Sequence, residues 1–190
     1  QNHFNERRRN RRPNIWIIKP GEFTNRGNGI SCSSRIDQIR RIVGGCAQSN
    51  TSKHEHERTF IVQSYLCKPL LYNHRKFDIR AYLLVTISNG ILKGYWYQEG
   101  YIRTSSQQFD LEDLSDPMIH LTNDAVQKHG EEYGAYEPGN KLTYNDLQRY
   151  LDSTGHKVDF FAMVYPQMRV TMLGNVDDSN GVCCLNLPLP

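Results

Sequence analysis

The heptapeptide His74-Arg75-Lys76-Phe77-Asp78-Ile79-Arg80 gathers the residue types that handle anions and metals. The residues that follow are rich in β-branched and aromatic types, so residues 77–87 are expected to form a strand. Side chains alternate along a strand, which puts Lys76, Asp78 and Arg80 on one face. Phe77, Ile79, Ala81, Leu83 and Val85 share the other, which reads as core. Three charges in a row on an apolar strand are costly when buried without partners. Two readings follow: a solvent-facing ladder of salt bridges, or a ligand face that holds an anion and a metal together.

Other segments bear on that choice. Lys19 closes the apolar stretch NIWIIK just before a glycine-rich loop, where a lysine can reach the phosphates of a nucleotide. Gly27-Asn28-Gly29 lacks two of its three Cβ atoms, so its backbone N–H groups can approach such phosphates. It is not a P-loop, having no G-K-S/T ending, and alone it reads as an ordinary turn. Gln63-Ser64-Tyr65-Leu66 ends another stretch of strand character, and backbone groups at such an end can pair with an adenine edge. Arg103-Thr104-Ser105-Ser106 and His120-Leu121-Thr122-Asn123 add an arginine and small polar groups; singly, each reads as structural capping. His54 and His56 around Glu55, with Cys46 upstream, match no zinc spacing and read as an exposed loop.

These residues need elements to hold them. Residues 14–19 and 59–66 read as strands. Residues 30–33 resume a strand before a helix that starts at Ser34, with Asp37 as a capping-box partner and Ile36, Ile39, Ile42 and Val43 as core contacts. Asn89-Gly90 suits a tight hairpin between residues 77–87 and a fourth strand over 91–98, and residues 101–105 read as a fifth. Thr143 with Asp146 can cap a helix through Leu151. Residues 157–169 carry helical spacing that Pro166 must kink or end, and no clean period follows from Val170. One helix, a run of strands with a hairpin, then helices argue for an α+β fold with a mainly antiparallel sheet and flanking helices.

Bulk composition narrows the class further. The chain has 190 residues, 38% hydrophobic and 23% charged, with no apolar run of bilayer-spanning length. Five cysteines, an odd count without a C-x-x-C pair, favour reduced thiols inside a cell. Of the net charge of +3, the surplus lies in residues 1–12, which hold five arginines against Glu6. Residues 1–13 read as a disordered solvated leader, or as a patch drawn to an anionic partner. A distributed basic face, the mark of a nucleic-acid binder, is missing.

Taken in order, WIIKPGEFTNRGNGI, IVQSYLCKPLL, RKFDIRAYLLV, GYIRTSSQQFD and HLTNDAVQK are similar to the tubulin tyrosine ligase-like family, a branch of the ATP-grasp ligases. The resemblance covers residues 14 to 151. Gln98-Glu99-Gly100, RTSS, HLTN and Tyr136-Glu137-Pro138-Gly139-Asn140 together look closest to the tyrosine-adding branch. The resemblance implies an ATP-grasp fold over residues 14–169, with ATP and Mg2+ held between two sheets. It implies that Lys19 contacts phosphates, that Arg26, Gly27 and Gly29 belong to a phosphate lid, and that Gln63, Ser64, Tyr65 and Leu66 form an adenine hinge. Lys76 and Asp78 would reach nucleotide, Arg80 and Arg103 would bind phosphate or carboxylate groups, and Thr122 and Asn123 would line the nucleotide and acceptor site.

The implied reaction phosphorylates a carboxylate with ATP and then forms an amide with a free amino acid. The acceptor would be an acidic tubulin tail, in the cytoplasm on microtubules or cilia, with no role for nucleic acid or membrane. The family's magnesium ligands, an Asp followed by a strand motif like L-I-E-V-N, have no counterpart here. Asp177 and Asp178 lie in loop-like sequence, and residues 170–190 read as a divergent, poorly ordered tail. On that ground the chain is expected to be incomplete on its C-terminal side and short of full ligase activity. A non-catalytic tubulin-binding module is the competing expectation.

Overall fold

The computed structural model describes residues 14–21, 26–44, 59–173 and 185–186. The arginine-rich leader, the loop with Cys46, His54 and His56, and Asp177 and Asp178 lie outside these residues. Contacts divide the chain into two compact units, Gln1–Lys76 with Ser105–Tyr133, and Phe77–Thr104 with Gly134–Pro190. The divisions fall inside the two longest strands.

In the first unit β1 (Trp16–Pro20) lies between β2 (Ser31–Ser33) and β3 (Phe60–Ser64), antiparallel to both. Registers of Ile17 against Cys32 and of Ile17 against Gln63 set these three residues in one row. Helix α1 (Ile36–Gly44) follows β2. It buries Ile39 and half-buries Ile42, while Ile36 and Val43 stay exposed, so the four-residue core stripe expected from spacing narrows to about one contact per turn. The helix begins at Ile36 and not at Ser34: Asp37, the expected capping-box partner, pairs with Arg35 and Arg41, and the Ser33 hydroxyl accepts the Arg35 N–H at 3.0 Å just ahead of the helix. A core of Ile15, Cys32 and Tyr65 gathers Ile17, Cys67, Phe109, Leu111 and Leu114.

Strand β4 (Leu71–Tyr72) turns into β5 (Arg75–Ser88) through Asn73 and His74, both with positive φ. Tyr72 pairs with Arg75, as a two-residue hairpin requires. The strand therefore begins two residues earlier than its apolar pattern indicates. The short helices α2 (Pro117–His120) and α3 (Asp124–Gln127) complete the unit. Asp116 caps the first, accepting the Met118 N–H at 2.7 Å.

The second unit holds the rest of β5 and of β6 (Ile91–Gln108). Asn89 and Gly90 adopt φ of 52° and 78° between them, the left-handed pair that a hairpin of matching twist needs. The expected fourth and fifth strands are one, continuous through Gly100. A Cβ on Gly100 would lie 2.0 Å from the Arg80 carbonyl oxygen and 2.0 Å from the Tyr144 hydroxyl, so glycine here admits close packing and leaves the strand unbroken. Near the hairpin, Leu84, Val85 and Ile87 are all exposed, so the apolar face expected for β5 is half-buried only from Phe77 through Leu83.

Beyond it, β7 (Lys141–Leu142) pairs antiparallel with β6 at Ile102 and Arg103. Helix α4 (Tyr144–Ser153) carries the full capping box of Thr143 and Asp146. A π-helical turn (Phe160–Val164) opened by Asp159 leads into α5 (Tyr165–Leu173). Pro166 stands just after the π-helical turn, and the helix does not end there but runs past Arg169 to Leu173. Strand β8 (Leu185–Asn186) pairs parallel with Tyr95 and Trp96. The core of the unit is aromatic: Trp96 is buried and donates its indole N–H to Tyr165 at 2.8 Å, and Tyr144 meets Phe160 with ring centres 4.9 Å apart. Antiparallel sheets with helices agree with the α+β expectation.

Candidate functional site

Two clusters collect the singled-out residues, one in each unit. In the first, Lys19 Nζ donates to Gln63 Oε1 at 2.8 Å across the β1–β3 pair. The two residues are diagonal neighbours on one face, since Lys19 registers with Ile61 and Gln63 with Ile17. Lys76, half-buried at the start of β5, donates from Nζ to the Tyr65 hydroxyl at 3.1 Å and to the His120 carbonyl at 2.9 Å. The same ammonium stands 4.6 Å from the centre of the Tyr65 ring, within cation–π range. Burial pushes the Cys32 thiol pKa up, and the charges of Lys76 and Lys19 oppose that rise.

The loop before β2 approaches the same unit's HLTN segment. Arg26, Gly27 and Gly29 all have positive φ. A Cβ on Gly27 would stand 3.0 Å from the Asn123 amide oxygen, which explains glycine at that position. Asn123 is the residue before α3, and Thr122 beside it is buried. Gln127 fixes this segment: its Oε1 accepts the Ser106 N–H at 2.7 Å, and its Nε2 donates to the carbonyls of Leu121 and Met118. Of the expected hinge, Gln63, Ser64 and Leu66 are exposed. Tyr65 is buried, and its backbone N–H is given to the Ile15 carbonyl at 2.8 Å.

In the second unit Arg103 grips Asp78 through both carboxylate oxygens, Nε to Oδ1 at 2.9 Å and a second, shorter contact from the guanidinium to Oδ2. The arginine side chain is 10% exposed and the aspartate 35%, a two-pronged geometry that defines orientation as well as attraction. Thr104, next in the strand, donates to Glu137 at 3.0 Å, and Asn140 donates from its amide to the Thr104 carbonyl at 3.2 Å. Arg80 has an exposed side chain, while its carbonyl accepts from the Tyr144 hydroxyl at 2.7 Å.

The sequence-picked residues therefore divide. Lys19, Arg26, Gly27, Gly29, Gln63, Ser64, Tyr65, Leu66, Lys76, Thr122 and Asn123 belong to the first unit, and Asp78, Arg80 and Arg103 to the second. Positioning residues escaped notice: Arg75, buried and donating to the Ser105 carbonyl at 3.2 Å, with Gln127, Glu137 and Tyr144. Three of these four stand inside quoted motifs, RKFDIR, HLTNDAVQK and YEPGN, so the signal was present but its structural purpose was not.

Phosphate groups fit the first cluster, which offers lysine ammonium groups and a loop whose glycine admits close approach. A divalent metal fits less well. Among the described residues no group of three His, Cys, Asp or Glu side chains comes together, and the Asp78 carboxylate is engaged by Arg103. No magnesium donor set is assembled by the described residues. Among the described residues no helix is long and apolar enough to cross a membrane.

Comparison with known proteins gives the family. The sequence profile of the Tubulin-tyrosine ligase family matches residues 1–176. A protein monoglycylase of Mus musculus is 38% identical over 160 residues, covering 82% of this chain and 18% of the relative. A tubulin glycylase 3B of Tetrahymena thermophila is 32% identical over 170 residues, 89% of this chain and 13% of the relative. A probable alpha-tubulin polyglutamylase from the same organism is 36% identical over 145 residues, 75% of this chain and 34% of the relative. The chain thus spans about a third or less of the length of these curated relatives.

Proposed function

The chain belongs to the tubulin-tyrosine ligase family, and from that premise we propose that it carries the nucleotide-binding part of an ATP-dependent ligase that adds an amino acid to tubulin. In the proposed reaction a carboxylate oxygen of an acidic tubulin tail attacks the γ-phosphorus of ATP, forming an acyl phosphate and releasing ADP. The amine of a free amino acid then attacks the acyl carbon, the C–O bond to phosphate breaks, and an amide and inorganic phosphate result. The names of the relatives favour glycine or glutamate as the added amino acid over the tyrosine that the motif order favours.

The observation that carries the reading is the pair of lysines, Lys19 and Lys76, each held by hydrogen bonds within one unit. Both reactants are anionic, so cations fixed in advance lower the cost of bringing them together. In this proposal Lys19 and Lys76 meet phosphates, and the turn at Arg26, Gly27 and Gly29 closes over them. Gln63, Ser64 and Leu66 present backbone groups to the base. Arg80 and Arg103 receive the carboxylate or its phosphate, Asp78 orients Arg103, and Thr122 and Asn123 line the acceptor side. Action on microtubules in the cytoplasm follows from tubulin as the partner.

A second reading, a module that binds tubulin without chemistry, draws support from the engagement of Asp78 by Arg103 and the absence of a three-donor metal group among the described residues. One experiment separates the two. The chain is incubated with microtubules, magnesium-ATP and radiolabelled glycine or glutamate, then sedimented. Label in the tubulin that disappears in Lys76→Ala supports the ligase. Co-sedimentation without label supports the binding module. Neither label nor co-sedimentation contradicts both.

A further inference from the structure

Two side chains of the hinge segment meet lysines, the exposed Gln63 at Lys19 and the buried Tyr65 at Lys76. Tyr65 is 6% exposed, and its ring lies among Phe109 and His120, with ring centres at 6.4 and 5.5 Å. Its hydroxyl is 2.9 Å from His120 Nδ1. On the far side of the imidazole, Nε2 is 2.7 Å from the Asp113 carbonyl oxygen. A carbonyl can only accept, so Nε2 carries the proton. In the neutral ring Nδ1 is then an acceptor, and the Tyr65 O–H must donate to it. The hydroxyl proton is thereby committed to His120, which leaves the oxygen's lone pairs for Lys76, whose ammonium donates from 3.1 Å. Burial, with the neighbouring thiols, pushes the Tyr65 pKa upward, so the phenol keeps this proton.

From this chain of donors we propose that Tyr65, backed by His120, is a positioning residue that holds the Lys76 ammonium in place for an anionic phosphate ligand. The inference rests on the nucleotide reading given above, but assigns Tyr65 a task different from contact with the base. A lysine head on four rotatable bonds loses much freedom when it binds, and a residue that restrains it beforehand lowers that cost. Three restraints converge on one nitrogen: the Tyr65 hydroxyl, the face of the same ring, and the His120 carbonyl. Two of them come from a single side chain. His120 contributes twice, through its own carbonyl and by fixing the direction of the Tyr65 hydroxyl.

The test reads Lys76 directly. In the folded wild-type chain, an amine-acylating reagent followed by mass spectrometry should label Lys76 at least several-fold more slowly than the exposed Lys93 and Lys128. In Tyr65→Phe, with its thermal unfolding checked, the Lys76 rate should rise about 3- to 10-fold, the equivalent of one hydrogen bond. The slowly exchanging proton–nitrogen signal of the Lys76 ammonium should vanish with it. Equal labelling of Lys76 and the exposed lysines in the wild type overturns the proposal without any variant. So does an unchanged Lys76 rate in Tyr65→Phe.

Ligand affinities then separate the proposal from the reading under it. Tyr65→Phe should weaken ATP about 3- to 10-fold and leave adenosine unaffected. Equal losses for ATP and adenosine would make Tyr65 a base contact and overturn the positioning role. If Lys76 labelling responds as described but the wild type binds no ATP, the restraint stands and the nucleotide reading fails.

Discussion

Lys76 and Asp78 are two residues apart on β5, yet the two units hold them by different means. In the first unit a cation is steadied by the oxygens of a phenol and of a backbone carbonyl, groups that bear no net charge. In the second a cation is clamped by a carboxylate in a two-pronged pair, and the backbone beside it is pinned by Tyr144 against a glycine. A neutral oxygen orients an ammonium without itself cancelling the charge. A carboxylate both orients and cancels. The first arrangement suits ligand capture, and the second suits a rigid frame whose arginine meets a ligand only in competition with Asp78.

That contrast can be broken most forcefully in the second unit. Gly100→Ala places a methyl group 2.0 Å from a backbone carbonyl that Tyr144 holds in place. The unit should lose about 3 kcal/mol in denaturant unfolding, the upper range for overpacking, and a loss under about 1 kcal/mol would show the frame to be soft. Asp78→Ala leaves the buried Arg103 guanidinium without its clamp. Breaking a buried pair costs about 3–5 kcal/mol, but a third of the aspartate side chain is open to solvent, so about 1–3 kcal/mol is expected once screening is allowed for.

The first unit offers a softer counterpart. Gln127→Leu removes the acceptor of the Ser106 N–H in a buried place and should cost about 2 kcal/mol. It should also shift the Asn123 amide resonance, because Gln127 holds the Leu121 carbonyl just before it. The smallest effect belongs to the capping box. Thr143→Ala should cost about 1 kcal/mol and should flatten part of the acid limb of stability. Hydrogen bonds from the Thr143 side chain and backbone, with Arg149 adding to them, depress the Asp146 pKa below the ordinary aspartate value. A depressed carboxylate stabilises the fold above that ordinary value and loses its contribution as the pH falls through the folded one. Melting temperatures between pH 2 and pH 6 for wild type and Thr143→Ala check the difference.

How far the sequence reveals this arrangement depends on whether a residue's purpose is local. The strands around Ile17, Val62 and Leu83, the Asn89-Gly90 hairpin and the Thr143–Asp146 box all follow from pattern and turn chemistry, and the structure contains them. Gly100 misleads because a glycine in a strand signals a break from sequence alone; here its missing Cβ admits Tyr144, which lies 44 positions away. Asn73-His74 conceals the start of β5, since neither residue is the glycine that usually marks a left-handed hairpin turn. The π-helical turn before α5 leaves no period to detect in five residues.

In the candidate site, motif order marks stretches of chain but not how the side chains within them are placed. Tyr65 and Leu66 are adjacent, and only the structure shows one buried beneath a lysine and the other exposed. Arg75, Gln127 and Glu137 are buried polar residues that each have a partner 21 to 33 positions distant. Nothing local distinguishes them from solvated surface residues.

In the proposed function two lysines of one unit serve one phosphate ligand. Calorimetric titration of ATP into the chain, beside Lys19→Ala, Lys76→Ala and the double variant, measures that directly. Each single change should weaken binding about 10- to 100-fold, the value of a charge-assisted hydrogen bond, and the double change should abolish it, with unfolding temperatures near that of the wild type. ATP binding of equal strength in all four proteins would contradict the account.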